Sequence, residues 1–145
     1  MRTKRIAIAA GALLLALGLA GCGTARFSHP TERAPLAAAA EVSMAVEEGS
    51  LTESGLTLLI TNATAREMTY GMEFSLERKR GDAWYAMDED DRAFADLAAI
   101  LAPGETNRFS VTWEGTLPAG EYRVVKAIWL GDGEERLLAA PFCVA

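Results

Sequence analysis

Gly55-Leu56-Thr57-Leu58-Leu59-Ile60-Thr61-Asn62 is the stretch whose spacing decides the fold. Leu56, Leu58 and Ile60 occupy every second position, with Thr57, Leu59 and Thr61 between them. Successive side chains on a strand point to opposite faces, so this spacing describes a strand with one buried and one wetter face. The same period recurs on both sides. Val42, Met44 and Val46 alternate with Ser43, Ala45 and Glu47. Met72, Phe74 and Leu76 face away from Glu73, Ser75 and Glu77, and Phe109, Val111 and Trp113 face away from Arg108, Ser110 and Thr112. The runs 122–130 and 136–144 are apolar at both parities and read as strands covered on both faces.

Turn residues separate these runs: residues 52–55, Arg80-Gly81-Asp82, Pro103-Gly104, Pro118-Ala119-Gly120 and Gly131-Asp132-Gly133. The last is a hairpin signal, because Asp-Gly tolerates the positive φ of a tight turn. Residues 93–101 have a spacing that fits either a short helix or an irregular crossover strand. Short antiparallel strands without alternating helices predict an all-β, single antiparallel sandwich of about seven strands over residues 41–145. Before it, residues 23–40 show no sustained periodicity and read as a flexible spacer.

Within Leu117-Pro118-Ala119-Gly120-Glu121-Tyr122-Arg123-Val124, a tyrosine enters a hydrophobic strand straight after a Pro/Gly corner. That is the placement of a tyrosine corner, whose hydroxyl bonds back to the backbone a few residues upstream. Tyr122 is therefore read as structural. Together with residues 55–62, the stretches Tyr70-Gly71-Met72-Glu73-Phe74-Ser75-Leu76-Glu77, Trp84-Tyr85, Ala93-Phe94-Ala95-Asp96 and Leu101-Ala102-Pro103-Gly104-Glu105 precede that segment in order. The ordered set resembles the bacterial immunoglobulin-like domain of envelope lipoproteins and other membrane-anchored proteins. The resemblance implies an immunoglobulin-like fold and an envelope location, and it transfers no active site.

The start of the chain points to the same compartment. Arg2, Lys4 and Arg5 precede an apolar run over residues 6–19, and Leu19-Ala20-Gly21-Cys22 follows. Charge, then a short hydrophobic stretch, then small residues is the order of a secretory signal peptide. The run is shorter than the roughly 20 residues a spanning helix requires. Its ending resembles the lipobox of bacterial lipoproteins. That resemblance implies cleavage between Gly21 and Cys22, diacylglycerol on the Cys22 thiol, and attachment to a cell or outer membrane facing outside the cytoplasm. Gly23, not an acid, follows the cysteine, which by the same resemblance leaves outer-membrane sorting open.

Residues 1–21 carry three of the fourteen basic side chains and none of the twenty acids, so the chain from Cys22 onward has a formal charge of −9. Such a surface repels phosphate backbones, which argues against nucleic-acid binding. Catalysis by Ser or Cys requires a base and an orienting group, yet residues 41–145 hold no histidine. The lone His29 falls in the expected spacer, and Cys143, in an apolar run, reads as a buried structural thiol. These features predict a protein that is not an enzyme and requires no cofactor or metal ion. Asp88-Glu89-Asp90-Asp91 offers oxygens for calcium but lacks the spaced ligands of a known loop, and it also reads as a solvated connection.

One surface stands out as a candidate for a partner. Val125 and Trp129 share a strand face opposite Val124 and Ile128. If one face is core, the other presents apolar area to an envelope protein or a glycan, unless another segment covers it. The expectation is a monomeric, membrane-anchored binding module. The competing readings are a passive spacer and, more remotely, a carboxylate- or calcium-based enzyme.

Overall fold

Period-two spacing becomes strand wherever one side of the ladder has a core to face. The computed structural model describes residues 23–32, 41–88 and 93–145, and among them are ten strands and no helix. They are β1 (Phe27–Thr31), β2 (Val42–Val46), β3 (Gly55–Asn62), β4 (Met68–Gly71) and β5 (Ser75–Arg80), then β6 (Ala83–Met87), β7 (Ala98–Leu101), β8 (Thr106–Thr112), β9 (Gly120–Leu130) and β10 (Glu134–Val144). A small sheet has the order β2-β3-β8. The large sheet has the order β1-β6-β5-β9-β4-β7, with β10 on the other side of β9. Every ladder between these strands is antiparallel.

The core lies between the sheets and is built from the alternating positions. Leu56, Leu58 and Ile60 of β3 and Phe109 and Val111 of β8 are buried against Leu76, Tyr122, Val124 and Ile128 of the large sheet. Residues 131–133 form the expected hairpin, pairing Glu134 with Leu130. The all-β sandwich stands as the spacing predicts, with nine strands over residues 41–145 in place of about seven and β1 ahead of them.

Three expectations are corrected and one open alternative is resolved. Residues 27–31 are not spacer: β1 pairs with β6 at the edge of the large sheet, and Phe27 is buried, its ring edge-on to Tyr122 at 5.6 Å. Residues 72–77 are not one continuous strand. β4 and β5 both pair with β9, but the chain leaves the ladder between Gly71 and Ser75. Residues 98–101 are strand β7, beside β4, so this part of the ambiguous segment is crossover strand. Cys143 is exposed, because it lies on the outer face of β10 opposite Glu121.

The break at residues 72–74 frees carbonyls, and a core lysine takes them up. Lys126 Nζ donates to Gly71 O at 2.8 Å and Glu73 O at 2.7 Å, and it sits 3.9 Å from the centre of the Phe109 ring. Burial pushes its pKa down to about 8, against a smaller opposing pull from the Glu73 carboxylate. On the outer face of the same strand, Arg123 Nε donates to Glu77 Oε2 at 2.6 Å, both side chains being almost fully buried. The Trp84 ring covers the guanidinium at 4.3 Å.

Candidate functional site

Position decides what the candidate residues can do, and the eleven-residue strand β9 sets the scale. At the rise of a strand it spans about 33 Å from Gly120 to Leu130. Gly21 and Cys22 lie outside the described residues. The chain is attached to the fold from the next residue onward. Thr116 N donates to Gly23 O at 3.1 Å, Ala25 N donates to Thr116 O at 3.1 Å, and Thr24 bridges to Thr116. Gly115, at φ +80°, makes this approach feasible: a Cβ there would stand 2.3 Å from Gly23 O. Further along, Asp88 Oδ1 accepts from Ser28 N at 2.9 Å and from Ser28 Oγ at 2.5 Å. The Ser28 hydroxyl, followed by its amide, holds the Asp88 carboxyl below the usual carboxylate value.

Beside this attachment stands Tyr122. Its hydroxyl donates to Pro118 O, four residues upstream, at 2.5 Å, and the side chain is fully buried. This is the geometry of a tyrosine corner. Burial raises its pKa, with Arg78 and Arg80 acting weakly in the opposite direction.

The far end of β9 carries the exposed apolar side chains. Register places Ile100 of β7, Thr69 of β4 and Trp129 of β9 side by side on the outer face of the large sheet. Ile100 is 62% exposed, Trp129 38%, and the neighbouring Leu97 64%. Val125 does not belong to this surface. It is 1% exposed, two positions of the same parity closer to the buried Arg123–Glu77 pair, so the pairing of Val125 with Trp129 is corrected to Trp129 with Ile100. The sequence could not supply Ile100, because strand neighbours are set by register and the 93–101 spacing left its element undecided. Glu135 of β10 is the register partner of Trp129. At the end of the same hairpin Glu134 accepts from Arg66 and Arg136, which hold its carboxyl below the usual value, Arg136 contributing most.

A third feature is a groove of about 1020 Å³ where the sandwich opens beside β8, lined among others by Tyr70, Phe74, Phe94 and Phe109. Phe74 meets Phe94 at 5.3 Å and Phe109 at 6.3 Å, both edge to face, so the rings pack on one another. Arg108 at its rim is paired with Glu47. No three His, Cys, Asp or Glu side chains among the described residues are placed to hold a metal ion. Of the acidic connection only Asp88 is described, and Glu89, Asp90 and Asp91 lie outside. No helix among the described residues is long and apolar enough to cross a membrane.

Comparison with known proteins agrees with this architecture. A search of the curated proteins finds no match. The family profile described as a bacterial Ig-like domain matches residues 38–143, beginning after β1 and ending one residue short of the end of β10. Two antiparallel sheets, a tyrosine corner and a match over most of the chain lead to one conclusion: this chain belongs to the bacterial Ig-like domain family.

Proposed function

We propose that this chain is a monomeric envelope lipoprotein whose Ig-like domain is a non-catalytic binding module for another envelope protein or a cell-wall glycan. Cleavage between Gly21 and Cys22 and acylation of Cys22 would leave it anchored to a membrane, outside the cytoplasm. Two or more acyl chains hold a protein durably, where one does so only reversibly. The observation that carries the reading is the row Ile100–Thr69–Trp129, exposed at the end of β9 away from Gly23. A tethered binder requires its recognition surface to face away from the tether, and large exposed apolar side chains gathered on one face are the kind of area that buried partner contacts use.

The test is crosslinking in intact cells with mass spectrometry of what is captured, in the parent, Trp129→Glu, Ile100→Glu and Cys22→Ala chains. A reproducible protein or glycan adduct that falls about tenfold in both surface variants, and is lost with Cys22→Ala, supports the anchored binder. Ile100→Glu should keep the parent's denaturation midpoint, since that side chain is 62% exposed, and a folded melting transition in Trp129→Glu shows that its loss of capture is not unfolding. A capture pattern indifferent to Trp129 and Ile100 would favour the passive spacer.

A further inference from the structure

We propose that the recess framed by Arg26, Arg78 and Arg80, next to Gly23, is a binding site for a phosphoryl group. The recess has a volume of about 880 Å³ and is lined by Gly23, Thr24, Pro118 and these three arginines, among others. In a chain with an excess of acids, such a grouping invites the question of what balances it. Every other described arginine or lysine is committed. Arg66 and Arg136 pair with Glu134, Lys79 with Glu121, Arg108 with Glu47 and Arg123 with Glu77, while Lys126 is buried on backbone carbonyls. Among the described residues, no carboxylate is in an ion pair with Arg26, Arg78 or Arg80. The three arginines outside these ion pairs are the three that share this recess, and of them Arg26 lies near enough to Asp88 to help hold its carboxyl below the usual value.

Two of the guanidinium groups are held in place. Arg78 lies over the Tyr122 ring at 5.8 Å and donates from Nη2 to Ala119 O at 3.0 Å, and Arg80 lies over the Tyr85 ring at 5.2 Å. Stacked guanidinium groups lose less freedom on binding, and their planar forks match phosphate oxygens. Asp88 also lines the recess, but its near oxygen is taken by Ser28 and lies 3.6 Å from His29 Nε2. Among the described lining residues, that leaves one carboxylate against three arginines. The wall of the recess contains Gly23, the residue after Cys22, so an anionic phospholipid headgroup is one source of the phosphoryl group; free phosphate is the other. The headgroup source rests on the anchored reading above, and the free-phosphate source does not.

The experiment has two arms, both on the full chain, with intact mass reporting whether Cys22 is acylated. In the first, inorganic phosphate is titrated into the detergent-solubilised parent, Arg26→Gln, Arg80→Gln and, as a control at the far end, Arg66→Gln, following phosphate binding by phosphorus NMR. Binding by the parent and Arg66→Gln, weakened about tenfold or more in Arg26→Gln and Arg80→Gln, supports the site. In the second, a polarity-sensitive fluorophore on Cys143 is read in vesicles of phosphatidylcholine with and without phosphatidylglycerol. A shift that appears only with phosphatidylglycerol, and disappears in Arg80→Gln, identifies the headgroup as the source. Phosphate binding without that shift identifies free phosphate. Neither response, or responses that survive both recess variants, overturns the proposal whatever the state of Cys22.

Discussion

Tyr122 and Lys126 sit on the inner face of one strand and are polar in opposite ways. The tyrosine hydroxyl, at the tip of a fully buried side chain, donates to Pro118 O of a half-buried residue. Tyr122→Phe should therefore cost about 1 kcal/mol in urea denaturation, the net contribution of an intramolecular hydrogen bond. An unchanged midpoint would show that the corner bond contributes nothing. Lys126 gives a pH signature. Its folded pKa is depressed to about 8 from an ordinary value near 10.5, so between those values the unfolded chain binds the extra proton. Stability then rises with pH across that window, as the cost of burying the charge is relieved, and that cost is fully present below pH 8. The neutral amine still has two hydrogens for Gly71 O and Glu73 O. Lys126→Met should lack this rise, so the difference in unfolding free energy between parent and variant should widen in favour of the parent from about pH 8 to 10. Parallel curves would mean that the ammonium is better solvated than its position between Tyr70 and Phe109 implies.

At the scale of elements, β1 ties the start of the described chain to the large sheet. Phe27 is 2% exposed and packs against Tyr122, so Phe27→Ala should destabilise the domain by about 3 kcal/mol, the range for emptying a phenylalanine site in a core. A spacer residue would give no change in a melting curve, which makes the two descriptions easy to tell apart. Sequence reading missed β1 because Phe27-Ser28-His29-Pro30-Thr31 contains one core residue and then polar ones: an edge strand with one apolar anchor has no period to detect. β3 and β8 were legible because they face the core at every second position over seven or eight residues. The break between β4 and β5 was hidden for a different reason. Met72 and Phe74 keep the alternating pattern although the chain has left the ladder, because both are half-buried against the core from a loop. Trp129 was legible as a surface candidate, while its partner Ile100 and the burial of Val125 depend on which strands lie alongside. Asn62 shows the same limit. Its amide donates to Arg66 O and Leu101 O and its carbonyl oxygen accepts from Thr64, a clamp between the loop before β4 and the end of β7 that nothing in residues 55–62 announces.

For the whole molecule, the consequence of β1 is that no free linker separates the proposed lipid from the fold. Gly23 is already bonded to Thr116, so under the proposed anchoring the domain would be mounted with a fixed end towards the lipid and the Trp129 end about 30 Å away along β9. A flexible spacer of about a dozen Gly and Ser residues inserted between Cys22 and Gly23 would add a root-mean-square reach of about 20 Å. Cys143 lies at the mounted end, opposite Glu121, and is exposed. A donor dye on Cys143 and acceptor dyes on vesicle headgroups should therefore transfer energy efficiently in the acylated parent, and much less in the chain with the spacer. Gly115→Ala tests the mount without changing length. The new Cβ would stand against Gly23 O, so the Gly23–Thr116 bonds should open and transfer should fall part of the way towards the spacer value. Equal transfer in all three chains would mean that the domain already moves freely on its anchor. The bonds from residue 23 to residue 116 would then not survive at the membrane, and the far-end position of Trp129 would lose its bearing on function.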